Sequence, residues 1–225
     1  MLMNTPIRLL PFMFLLSAII SQAQTQKIKI DPADLKFSKG AVVETSEFRG
    51  KRATKVQAIN KNETEVSVIR NLSFTDGTIS CFVAAELTPD ANPDSRGFIG
   101  IAFRLNESDS VRYECVYLRP DNGRANDQLR RNHATQYVSE PAYPWYKLRK
   151  EFPGKYESYA DMALGEWIQM RIKVKGNVMH LFVNDAKEPC LIVNDLKLKD
   201  KQGSIALWSG PGTRGYFRDL TVTRE

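Results

Sequence analysis

From about residue 50 onward, apolar and polar positions alternate with the period of two that marks a strand with one buried face. The clearest case follows Gly165-Glu166. Ile168, Met170, Ile172 and Val174 alternate with Trp167, Gln169, Arg171 and Lys173, Gly176-Asn177 turns the chain, and residues 178–183 return. A two-residue turn fixes the register of the strands it joins. It predicts Lys175 opposite Val178, Val174 opposite Met179, Ile172 opposite Leu181 and Met170 opposite Val183, with the apolar partners on one face. The other face carries Lys173 beside His180, Arg171 beside Phe182, and Trp167, a mixed surface suited to half-exposure.

Further strand patterns recur at 53–59, 66–70, 78–87, 98–105, 112–118, 190–193, 204–208 and 216–222. Most are separated by turn-forming clusters such as Asp76-Gly77, Asn92-Pro93-Asp94 and Asn184-Asp185. Convincing amphipathic helices are absent. Many antiparallel strands in one chain of this length predict an all-β fold, a two-sheet antiparallel sandwich of jelly-roll type, as a single domain over 24–225.

The segment before that domain reads differently. One positive charge precedes an apolar run over 9–20, and Ser21-Gln22-Ala23 supplies small residues for cleavage. This is the pattern of a secretory signal peptide over 1–23, and it predicts a secreted or periplasmic protein. No later segment is long and apolar enough to span a bilayer as a helix. Export permits disulfides, but Cys81, Cys115 and Cys190 are odd in number and form no close pair. They read as buried free thiols, with a Cys81–Cys115 bridge on neighbouring strands as the alternative.

One stretch breaks the strand rhythm. Residues 119–155 hold four prolines, two glycines and no sustained alternation, yet they contain Tyr137, Tyr143, Trp145, Tyr146 and Phe152. So many aromatics disfavour a solvated linker, and a loop this long points to function. The segment is expected to be an ordered loop insert across one sheet. It also locates the charge. The chain's net +6 falls to +5 without Arg8, and the insert alone carries eight Lys+Arg against four acids, a net +4. An anionic or hydroxyl-rich ligand at the insert is therefore favoured over general surface stickiness.

Within it, Arg119, Asn122, Arg124, Gln128, Arg130 and Arg131 offer forks and amides for hydroxyls or a uronate. Tyr137 and Trp145 offer flat faces for the C–H side of a sugar. The same residues serve equally to pin the insert to the sheet and form a satellite core. For catalysis, Glu114, on the strand leading into the insert, and Asp127 are the candidate acids. His133 is the nearby group with a near-neutral reference pKa. Glu114 also reads as a strand residue paired with Arg104 or Arg112.

Other chemistries are poorly supported. GxSxG, HExxH, CxxC and P-loop motifs are absent, and Gly210-Pro211-Gly212 lies between two strands as a hairpin connection. No metal site is predicted, since His133 and His180 lie on different elements. No cofactor is expected, with structural calcium at loop carboxylates such as Asp90 and Asp94 left open. Nucleic acid is the poorest reading of the positive charge, because no recognised binding pattern accompanies it.

The pieces GFIGIAFRL (97–105), RYECVYLRP (112–120), GEWIQMRIKVKGNVMHLFVND (165–185) and GSIALWSGPGTRGYFRDLTV (203–222) resemble secreted bacterial concanavalin A-like lectin/glucanase domains. The group of 3-keto-disaccharide hydrolases, or more loosely laminin-G-like domains, is the nearest. The resemblance implies a two-sheet jelly roll that meets carbohydrate. The leading expectation is a glycoside hydrolase acting on a glycan or keto-disaccharide. The alternatives are a non-catalytic carbohydrate-binding module and a laminin-G-like interaction domain.

Overall fold

The structure is a computed structural model that describes residues 24–108, 110–199 and 201–224. The signal-peptide pattern over 1–23 lies outside the described residues. Two antiparallel sheets pack face to face as the expected jelly-roll sandwich. The first contains β1 (Gln24–Lys27), β3 (Ala41–Phe48), β4 (Lys51–Ala58), β6 (Gly77–Leu87), β11 (Ile168–Lys175), β12 (Val178–Val183), β13 (Leu191–Val193) and β15 (Thr213–Arg224). Its order is β13-β12-β11-β6-β15-β4-β3, with β1 also pairing β15. The second contains β2 (Leu35–Lys36), β5 (Glu65–Ile69), β7 (Ile99–Asn106), β8 (Arg112–Leu118), β9 (Thr135–Glu140), β10 (Glu157–Ser158) and β14 (Ser204–Ser209). Its order is β10-β9-β8-β7-β14-β5-β2.

The hairpin β11–β12 has the register its turn predicts, from Lys175 opposite Val178 to Met170 opposite Val183. Gly176 takes φ 57°, a left-handed conformation that suits a residue without Cβ. The turn is also held from outside. Arg104, wholly buried at the register shift between β7 and β8, donates to the carbonyls of Thr75 and Gly176 and to the Asp76 carboxylate, at 2.8–3.0 Å. These partners make a buried guanidinium tolerable. The inner faces supply a continuous core in which Val56, Ile79, Val83, Ile172 and Phe217 meet Ile99, Ile101, Phe103, Val116, Leu118 and Leu207.

Two expectations are corrected. The 119–155 segment is not a loop alone. It contains α1 (Pro120–Gly123), α2 (Gln128–Asn132), the six-residue strand β9 and α3 (Trp145–Glu151). Strand β9 pairs along β8, so part of the insert is sheet and the rest folds back over that sheet's outer face. The Cys81–Cys115 bridge is excluded by topology. Cys81 lies on β6 and points into the core between the sheets. Cys115 lies on β8 of the other sheet and faces outward with Tyr113 and Tyr117, so both remain free thiols.

Candidate functional site

The outer face of the second sheet is roofed in part by the insert, and between sheet and insert lies a cleft of about 900 Å³. Its floor follows from strand alternation. One row across the sheet reads Val66, Trp208, Gly100, Tyr117, Gln136 and Glu157 on β5, β14, β7, β8, β9 and β10. Gly100 separates two aromatic residues in that row. A Cβ there would fall 2.4 Å from the Val116 carbonyl oxygen and 2.6 Å from the Tyr117 Cβ. Its absence lets the Tyr117 and Trp208 rings close over the backbone and stack, with centroids 4.7 Å apart and planes at 19°. Phe98 meets Tyr117 edge-on at 6.1 Å. Trp145 and Tyr146, at the start of α3, stand exposed at the rim and meet each other edge-on.

The insert is fastened to this floor by a buried polar network centred on Glu157. The Arg119 guanidinium donates to the Glu157 carboxylate (3.0 Å), the His133 carbonyl (3.0 Å), the Gln136 amide oxygen (2.9 Å) and the Tyr117 hydroxyl (3.0 Å). Arg149 of α3 grips the same carboxylate with Nε, at 3.0 Å, and with Nη2. Burial pushes the Glu157 carboxyl up, but the Arg149 hydrogen bonds and the charges of Arg119 and Arg149 outweigh it and hold the group below the usual range. His133 stands 3.7 Å from the same carboxylate, yet burial leads and lowers its pKa, which favours the neutral ring.

Glu140, at the end of β9, shares the cleft wall with His133, Trp145 and Trp208. Burial raises its pKa, and no hydrogen bond or ion pair engages its side chain among the described residues.

Of the residues singled out from sequence, Arg119, Asn122, Arg130, His133 and Trp145 line the cleft. Asn122 and Arg130 also bind each other, and Arg130 pairs with Asp121 at 2.7 Å. The others point elsewhere. Glu114 sits on the opposite face of β8, fully buried between the sheets. It accepts from the Tyr137 hydroxyl at 2.5 Å and the Leu198 amide at 2.7 Å, while burial raises its pKa. Tyr137 faces the same core, packed on Tyr156, and its hydroxyl accepts from the Lys197 amide. A ligand on the outer face reaches neither.

Asp127 caps α2, accepting from the Arg130 amide at 2.8 Å, which is the ordinary work of an N-cap. Gln128 donates to Asn132 along that helix. Arg124 pairs outside the cleft with Asp161 and Glu166, and Arg131 covers the Tyr159 ring and donates to its hydroxyl. The acids Glu114 and Asp127 therefore do not converge with His133 on one substrate position.

Glu140, Arg96, Arg149, Tyr117 and Trp208 are among the cleft residues that the sequence left unmarked, as it left Glu157, buried behind the lining. The signal for Tyr117 and Trp208 was present in the alternation of their strands, which puts them on one face only once the sheet order is known. Among the described residues, no group of three or more His, Cys, Asp and Glu side chains is placed to hold a metal ion, and Asp90 and Asp94 form no such cage. What the arrangement offers is a largely buried, mutually stacked aromatic pair at the floor, two exposed rim rings and a small set of polar atoms, the usual make-up of a site for a small organic ligand.

No protein-family model matches the chain, and comparison with the curated proteins finds no match. Solved structures do resemble it. The carbohydrate binding module CBM66 from Bacillus subtilis is similar with a TM-score of 0.53 at 9% identity, over 81% of this chain and 95% of that one. A Bacillus subtilis protein of unknown function with a galectin-like fold gives 0.56 at 11% identity, over 85% and 89%. A Parabacteroides distasonis protein assigned by name only as a glycosyl hydrolase gives 0.52 at 10% identity, over 88% and 98%. The chain thus has the concanavalin A-like, galectin-like jelly-roll fold. Likeness at such low identity carries the fold alone.

Proposed function

We propose that the protein is an exported carbohydrate-binding protein that holds a glycan in the cleft between the second sheet and the insert. The observation that carries this reading is the pairing of exposed Trp145 and Tyr146 at the rim with an aromatic floor of Tyr117, Trp208 and Phe98. Sugars present a flat C–H face that packs on exposed rings such as Trp145 and Tyr146, while their hydroxyls need the polar atoms beside them. The structurally similar carbohydrate-binding module and glycosyl hydrolase support a carbohydrate ligand. The leader pattern over 1–23 supports export.

Glycoside cleavage is the second reading, and one observation favours it. Burial raises the pKa of Glu140 in the cleft wall, which is the property required of a general acid. Binding ranks first because the other two candidate acids, Glu114 and Asp127, are committed to the core and to a helix cap. The test is binding to a broad glycan array, followed by calorimetry on the best ligand with Trp145→Ala. The variant is expected to lose at least about fivefold in affinity, since an aromatic contact contributes about 1 kcal/mol beyond its area. Silence across the array, or unchanged affinity in the variant, overturns the reading. Release of reducing ends that stops in Glu140→Gln moves the assignment to the enzyme.

A further inference from the structure

We infer that the cleft selects an uncharged, hydroxyl-rich sugar over a uronate or sulfated one, and that Glu140 is the acceptor that reads its hydroxyls. This rests on the glycan reading above and adds the ligand's charge class. The insert's net +4 pointed to an anionic or hydroxyl-rich ligand. The geometry removes the anionic half of that reading, because every cleft guanidinium is already engaged by a carboxylate, with Arg119 and Arg149 sharing one.

Arg119 and Arg149 share Glu157, and Arg119 also has both terminal nitrogens engaged by Tyr117, Gln136 and the His133 carbonyl. Arg130 pairs with Asp121 at 2.7 Å. Arg96 donates to the carbonyls of Pro93 and Ser95 and lies 3.6 Å from Asp94. Three carboxylates, Asp94, Asp121 and Glu157, thus pair with the four cations, and Glu140 brings the acids around the cleft to four, so the charges there sum to zero. A ligand carboxylate entering there meets no net positive charge and finds the guanidiniums already engaged. It would lie beside buried Glu157, and like charges at close range in a partly desolvated site repel.

The insert's surplus sits on side chains turned away from the floor, among them Lys147 over the Tyr143 ring and Lys155 paired with Asp195. Of the four acids, Glu140 alone has no hydrogen-bonding or ion-pair partner among the described residues. A half-buried carboxylate of that kind is an acceptor awaiting donors, and vicinal hydroxyls supply two.

The experiment is an array of uncharged gluco-, galacto-, manno-, xylo- and fructo-oligosaccharides beside uronate- and sulfate-bearing ones, with calorimetry on the tightest binders at 50 and 500 mM NaCl. The expected result is an uncharged ligand at the top of the ranking, with less than about a twofold change in affinity across that salt range. Glu140→Gln should weaken it about tenfold or more, as expected for lost hydrogen bonds to a charged group. The thermal midpoint of this variant should not fall, because no folded-state partner is lost and the desolvation of a buried charge is relieved. A uronate or sulfated ligand that ranks first and weakens more than about fivefold with salt overturns the inference while leaving the glycan reading intact. Undiminished affinity in Glu140→Gln overturns the assigned acceptor. Silence across the whole array removes the glycan reading and this inference with it.

Discussion

Glu157→Gln isolates the role of the buried network. The Glu157 side chain is 2% exposed and the Arg119 side chain 6%, and the carboxylate receives Arg119 and Arg149 together. The substitution keeps the shape but removes the charge, which leaves a buried guanidinium with no counterion. Removing one partner of a buried pair costs about 3–5 kcal/mol. That is a large fraction of the total stability of an ordinary domain, about 5–15 kcal/mol. Urea unfolding followed by tryptophan fluorescence measures it.

The pH dependence has a defined sign. The folded pKa of Glu157 is held below its ordinary value, so its contribution is fully present above the ordinary glutamate range and is lost as pH falls through the lower folded value. The wild type should lose this share of stability in acid, and Glu157→Gln should lack that part of the pH dependence. Adding Arg119→Met to Glu157→Gln should recover part of the loss, because the stranded charge is gone. A cost of Glu157→Gln below about 1 kcal/mol at pH 7 would refute the view that this carboxylate fastens the insert to the sheet.

The remaining expectations concern the core. Glu114→Ala leaves the Tyr137 hydroxyl and the Leu198 amide without their acceptor and should cost about 2–6 kcal/mol by chemical denaturation, at about 1–3 kcal/mol for each buried group left unsatisfied. In conditions where the variant is folded, its affinity for ligand should match the wild type, and selective loss of binding would return Glu114 to the site. The thiols should be inert towards a disulfide reagent in the native protein at pH 7. Burial raises Cys81 to about 12 and Cys190 to about 11, and pushes Cys115 well above the ordinary value. Cys190, the one that is partly exposed, should react first, and a fast stoichiometric reaction of Cys81 would contradict its placement in the core.

How far the sequence could be read depended on how many faces of each element are buried. The β11–β12 hairpin was legible because its turn and its alternation give the same answer. Ile168, Met170, Ile172 and Val174 are buried while Lys173 and Lys175 are exposed. Strand β9 was not legible, because the sheet buries Thr135, Tyr137 and Ser139 on one side while the insert covers Gln136 and Val138 on the other. Burial on both faces erases the period of two, and polar residues on each face look like loop.

Strand β8 shows the same effect in another form. Tyr113, Cys115 and Tyr117 face the cleft side and Glu114 the core, so the one acidic residue in the run was read towards the wrong surface. Strand β3, an exposed edge strand, lacked the apolar face that marks the others. Glu157 lies in a two-residue strand, too short for any pattern. Its role is set by Arg119, 38 residues earlier in the chain, and by Arg149 on α3.

The central claim is that the glycan lies on the outer face of the second sheet, beneath the insert. A crystal structure of the protein with its best-binding oligosaccharide tests this most directly. The account predicts a sugar ring against Trp145 and Tyr146, above the stacked Tyr117 and Trp208, with at least one hydroxyl within hydrogen-bonding distance of Glu140. A sugar seated instead on the outer face of the first sheet, beside Trp167 and Phe182, would contradict it.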